Sequence, residues 1–247
     1  MGRVRPQESE RFQPLLFPAA ALVPYAVTFD RLPLFPLPLV LFPGTALPLH
    51  IFEPRYRQLL VDCLEREERF GIARLPEGVA EKEIAPGTVG CIAEIVNTET
   101  LPDGRSNILV RGAERFALVS LVSSPHPYHV CSATMIEDDF EIGADLDALA
   151  ERVRDVFRRV ARAARTLSDD PDPLPELPDD AANLSFAIAS MIDIGLDARQ
   201  QILASRSPTE RLRHLDGILS AALGTLVTRA QMHTLAKTNG RGAHLQQ

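Results

Sequence analysis

Five prolines, Pro33, Pro36, Pro38, Pro43 and Pro48, fall within residues 32–49, in a run otherwise dominated by Leu, Phe and Val. Each ring removes an N–H donor and holds φ near about −65°, so no helix survives there and the apolar run must be extended. The expected elements are two β-edge segments at 32–37 and 39–42, a turn at Pro43-Gly44 where glycine takes positive φ without steric cost, and a third segment at 46–52. A helix follows at once. Pro54 suits the first helical position and Glu53 places negative charge at the positive end of the helix dipole. Tyr56, Leu59, Leu60, Cys63 and Leu64 then recur at helical spacing as one buried stripe. The run is a strand-to-helix corner, and the chain is organised around it.

The stretch PLFPLPLVLFPG at 33–44, followed by LPLHIFEPRY at 47–56, resembles the opening signature of the Lon protease N-terminal domain. VGCIAEIV at 89–96, DGRSNILVRG at 103–112 and ERF at 114–116 resemble that family's central hairpin in order and spacing. The resemblance implies an α+β fold, a small PUA-like pseudo-β-barrel of about six strands with one inserted helix, followed by an α-helical bundle. It also implies a substrate-recognition module that binds protein clients in quality control. Gly44, His50, Glu53, Tyr56 and Gly112 are expected to be structural members of the signature. His50 is read as a partly buried, hydrogen-bonding residue that fixes the corner.

The remaining pattern agrees. Short strands are expected at 70–74, 88–98, 106–111, 116–122 and 128–136, with Gly112 bending the chain and turn chemistry at Pro102-Asp103-Gly104. Residues 1–30 are expected to be a disordered extension, 31–138 the barrel, 144–237 a helical subdomain and 238–247 a tail. Within the helical part, Leu146, Leu149, Val153, Val156, Phe157 and Val160 mark an amphipathic helix, with acids early and Arg158, Arg159, Arg162 and Arg165 late, as the dipole prefers. That arginine cluster reads as a solvated face in preference to a docking face. SDDPDPLPELPDD at 168–180 carries four prolines and is an acidic loop. A helix at 181–194 should stop at Gly195, with Asp197 capping a short one to 204. Ser207-Pro208-Thr209-Glu210 supplies a capping Ser, a Pro at N1 and a Glu at N3, the clearest helix start in the chain.

Chemistry is scarce. The lysines are Lys82 and Lys237 alone, neither in a Gly-Lys-Ser/Thr setting, so no phosphate-cradling loop is present. Neither lysine has the desolvated setting a Ser-Lys dyad needs. The three cysteines, Cys63, Cys91 and Cys131, lie far apart in apolar patterns, which argues against zinc, a disulfide framework or a thiolate nucleophile. His126, His129 and Cys131 offer metal-ligand types without matching spacing. The expectation is therefore a non-enzyme with no cofactor and no metal site. A net charge of −7 argues against nucleic acid as a partner. No apolar run reaches membrane-spanning length, and a cytoplasmic setting fits the cysteine usage. Arg3, Arg5 and Arg11 ahead of an apolar patch raise a signal peptide, but Pro14, Pro18 and Pro24 interrupt it. A weak homodimer is left open.

The candidate client site is the apolar edge 42–49, whose unpaired backbone groups would accept a strand. Pro43, Leu47 and Pro48 are its expected exposed members, with Tyr128 as neighbour. In the competing reading, the same residues fill the barrel end. The alternative function is a barrel that binds a small ligand or RNA, which would call for a basic stripe with stacking aromatics. A chain with no Trp and three Tyr shows little of either.

Overall fold

The computed structural model describes residues 27–66, 69–139 and 144–242. Six strands come first: β1 (Thr28–Leu37), β2 (Ala46–Ile51), β3 (Phe70–Arg74), β4 (Val89–Thr100), β5 (Ser106–Val122) and β6 (His129–Ile136). Helix α1 (Pro54–Arg66) is inserted between β2 and β3. The strand order is β2-β5-β4-β3-β1-β6, and β6 returns to pair with β5. Five strands thus close a ring and β2 hangs outside it on the first part of β5. β1 and β3 are parallel; the other pairings are antiparallel.

Local chemistry explains most of this. Gly44 sits at φ 73° in the expected turn. Strand β5 can serve three neighbours because it is a single strand of 17 residues. Gly112 therefore does not break it, contrary to expectation. A Cβ on Gly112 would lie 2.1 Å from the Phe42 carbonyl oxygen and 3.1 Å from Cys91 Sγ, so glycine is required for close approach and not for a bend. Gly112 N donates to Thr45 O at 2.9 Å, and Gly44 N donates to Gly112 O at 2.8 Å, which ties the signature loop to mid-β5.

Several expectations are corrected. Residues 39–42 are not a strand; Val40, Leu41 and Phe42 are buried in irregular backbone, because three prolines close upstream leave few donors for a ladder. β1 starts at Thr28, so residues 28–30 belong to the barrel: Thr28 pairs with Thr134 and Phe29 with Ala133. Residues 1–26 lie outside the described residues. Leu64 is 48% exposed, and Asp62 takes its place on the buried face of α1. α3 ends at Met191, and Gly195 opens the next helix where it was expected to stop one. Asp197 is inside that helix and pairs with Arg74 at 2.6 Å instead of capping.

The helices are α2 (Ala144–Ser168), α3 (Ala181–Met191), α4 (Gly195–Ala204) and α5 (Pro208–Gly242). Asp180 caps α3 by accepting from Asn183 N at 2.8 Å, and Ser207 Oγ accepts from Glu210 N at 3.0 Å, the expected α5 start. α2 and α5 run parallel: Arg152 meets Asp216 at 3.0 Å near their starts, and Asp169 receives His233 and Lys237 near their far ends. The helical core is shared with the barrel, since Val40, Phe42 and Val89 pack into the cluster built by Val153, Leu184, Ile188 and Leu215. Among the described residues no helix is long and apolar enough to cross a membrane.

Candidate functional site

Among the described residues strand β2 has one neighbour, and its alternation decides what it offers. Leu47 and Leu49 are half-buried and Ile51 is buried, all packed on the barrel core, while Ala46, Pro48 and His50 point outward. The backbone alternates in step. Gly112 N reaches Thr45 O, so residues 45, 47, 49 and 51 turn their hydrogen-bonding groups toward β5. Pro48, paired with Leu109, falls in the opposite set, where a missing N–H costs the ladder nothing. The open edge then presents the N–H of Ala46 and His50 and the carbonyls of Ala46, Pro48 and His50. Pro48 leaves a gap in the middle, a common way of blunting an edge against uncontrolled pairing.

Outward-facing His50 is exposed, not partly buried as expected, but it is held. Its Nδ1 lies 2.8 Å from Asn107 Oδ1 and its Nε2 3.4 Å from Arg105 Nη1. An Nδ1–H tautomer satisfies both contacts, donating to Asn107 and accepting from Arg105. Phe52, 59% exposed, stacks beside it at 6.1 Å. Of the four expected client residues, Pro48 is exposed, Pro43 and Leu47 are half-buried, and Tyr128 is buried. Tyr128 is therefore not a surface neighbour of the edge. Its O–H donates to Asp62 Oδ2 at 2.6 Å, and its ring stacks on His126 at 4.9 Å. Gln58 donates to the same carboxylate at 2.7 Å and His126 Nδ1 lies 3.2 Å away. Burial alone would raise the Asp62 pKa, but these hydrogen bonds and the His126 charge outweigh it and hold the carboxyl below its usual range. Burial and that same hydrogen bond push the Tyr128 phenol up.

The other signature residues converge on Glu81, in a single 3-10 turn at Glu81–Glu83. Arg55 grips its carboxylate with two nitrogens at 2.5 and 2.8 Å, Tyr56 donates at 3.1 Å, and His129 Nε2 lies at 3.1 Å. Glu53 accepts from Arg55 at 2.9 Å, so it orients the arginine that pins the loop. Burial works against the ionised Glu81, yet Arg55 overrides it and the carboxyl sits below its usual range.

The family model for the ATP-dependent protease La (LON) substrate-binding domain matches residues 31–221. The chain belongs to that family. Lon protease 2 of Herpetosiphon aurantiacus is 29% identical over 204 residues, and Lon protease of Parabacteroides distasonis is 29% identical over 199. The chain spans about a quarter of the length of these Lon proteases, 25% and 24% respectively, while 81% and 77% of it is covered. The crystal structure of a Lon N-terminal domain protein from Xanthomonas campestris superposes with TM-score 0.55 at 25% identity, covering 76% of this chain and 97% of that one. The N-terminal domain of Mycobacterium avium complex Lon protease shares the fold, with TM-score 0.60 at 20% identity.

Within this Lon-type domain, the residues that join barrel to bundle carry no sequence signal. Asp138 accepts from Arg115 at 2.5 Å and from Arg211 at 2.6 and 2.8 Å. Arg211 is completely buried; it also donates to Ser185 Oγ and Ser205 O and lies 4.2 Å above the Phe186 ring, which stacks on Phe42. In the sequence Asp138 is one acid among several between the last strand and the first helix of the bundle, and Arg211 is one of many helix arginines. Helical spacing shows only that Arg211 precedes the buried Leu212. Burial pushes the Cys91 and Cys131 thiols up to about 12, which removes them as nucleophiles at neutral pH. Among the described residues no group of three or more His, Cys, Asp or Glu is placed to hold a metal ion.

Proposed function

We propose that this domain is a non-enzymatic recognition module or adaptor in protein quality control, which binds unfolded or partly folded clients as extended apolar segments along the open edge of β2. The observation that carries the reading is the one-sided pairing of β2: a proline-gapped edge with exposed Ala46, Pro48 and His50, backed by the half-buried Leu47 and Leu49 and flanked by exposed Phe52. A client strand would gain backbone hydrogen bonds there while its alternate side chains met apolar surface. Ordering an unfolded segment costs entropy, so affinity is expected to be micromolar, on the order of −8 kcal/mol, and weakly dependent on salt.

Leu47 packs inward on the barrel core, so its replacement tests the fold and not the edge. Ala46→Pro is the cleaner probe, because it deletes an outward N–H without touching the ladder to β5. Anisotropy of a labelled, reduced and carboxymethylated protein should show binding weakened by about fivefold or more in the variant, one hydrogen bond's worth, with the melting curve unchanged. Unaltered affinity would remove β2 as the client site. Casein cleavage and ATP hydrolysis are expected to be absent throughout, and RNA is expected not to compete.

A further inference from the structure

The far end of the helical bundle carries a second surface of different chemistry. Between the last turns of α2 and the second half of α5 lies an open groove of about 670 Å³. Ala163 and Ala230 are buried in its floor, Val227 is half-buried, and Leu235 stands 56% exposed at its end. Arg159 and Arg162, one turn apart on α2, form the rim. From residue 156 to 168 and from 217 to 237 there is no acid, whereas these stretches hold Arg158, Arg159, Arg162, Arg165, Arg229 and Lys237 in a chain of net charge −7.

Part of that charge is answered locally. Arg165 meets Asp170 at 3.7 Å, and Lys237 and His233 meet Asp169. Asp172 also faces Arg162 and Arg165 across the adjoining loop. Arg159 reaches Asp155 only at 3.9 Å, and Arg158, Arg162 and Arg229 have no ion-pair partner among the described residues. Helix dipoles account for arginines near the ends of α2, but not for an apolar floor left open beneath them.

Charge decides what could cover this floor. A second copy of the chain, laid α5 against α5, would bring Arg229 and Lys237 against Arg159 and Arg162, and like charges disfavour it. An acidic segment is attracted, and small residues in the floor of a groove between two parallel helices admit the ridge of a third helix. We propose that the α2–α5 groove docks an acidic amphipathic helix of a partner protein, with its apolar stripe on Ala163 and Ala230 and its carboxylates on Arg159 and Arg162. The family match ends at residue 221, so the α5 wall lies outside it. The site is independent of the β2 edge.

The test uses the full chain and three labelled synthetic peptides. One carries leucines at i, i+3, i+4 and i+7 with glutamates between, one is a scramble of the same composition, and one has lysine for glutamate. The first should bind, progressively less well as salt rises, and Arg159→Glu with Arg162→Glu should weaken it by about tenfold or more without moving the melting temperature. Ala46→Pro should leave this binding unchanged. Equal binding of the scramble or of the lysine peptide would overturn the proposal, as would indifference to the double substitution. It would equally fall if anionic phospholipid vesicles proved the tighter ligand of the same arginines, or if Ala46→Pro abolished peptide binding.

Discussion

The barrel junction and the far end of the α2–α5 pair use the same residue type in opposite ways. Near the barrel, Arg211 and Arg115 are buried and each guanidinium is shared among a carboxylate and backbone carbonyls. At the far end Arg158 and Arg162 stand in solvent without an ion-pair partner among the described residues. A buried charge is tolerated only when its donors are satisfied, so the near arginines are committed to holding two halves of the molecule together. An exposed charge has no such obligation and stays available to another molecule.

The sharpest way to break the near end is Gly112→Val. The added side chain would meet the Phe42 backbone, displace Phe42 from Phe186 and disturb the ring that Arg211 covers. A loss above about 4 kcal/mol is expected, seen as a collapse of the urea midpoint. Stability close to the parent's would show that the loop at 39–45 yields easily. Next in size is Arg211→Ala, which strands one side of Asp138 and uncovers Phe186; about 3–5 kcal/mol is expected from denaturant titration. A double cycle with Arg115→Ala should be strongly non-additive, since both share one carboxylate.

These near-end residues also mark where the sequence stops being informative. Gly44, the α5 cap and strand β3 were legible because each depends on neighbours within a few positions: a turn dihedral, a capping hydroxyl, a short apolar run. The closure of the ring, the length of β5 and the Arg115–Asp138–Arg211 cluster depend on partners tens of residues away, for which one chain offers no local mark. The same limit explains Tyr128. At an expected strand start it reads as a neighbour of the edge, with barrel-end filling as the competing reading, and Asp62, contributed by α1, holds it in the core. At the candidate edge the proline pattern gave the extended strand, but not which residues faced outward.

Acid should separate the regions further, with a smaller effect. Asp62 and Glu81 have folded pKa values below their usual range, so their contribution to stability is complete above the unfolded value of about 4 and is lost as pH falls through the folded values. Melting temperature should therefore fall below about pH 4, and Asp62→Asn should flatten part of that dependence. A profile indifferent to Asp62→Asn would mean that Tyr128 and Gln58 hold the carboxylate no better than water does. The smallest effect belongs to the far end: Arg158→Ala or Arg162→Ala should change stability by no more than about 0.5 kcal/mol. A loss near that of Arg211→Ala would erase the contrast between the ends.

Ring closure has a consequence for synthesis. The second part of β1 can pair with β3 soon after both are made, but its first part waits for β6, about a hundred residues later. At roughly 5–20 residues per second, a ribosome needs on the order of 5–20 s to cover that interval. During it the first part of β1 is itself a segment without its partner strand, in need of the shelter that the finished barrel is proposed to give to others.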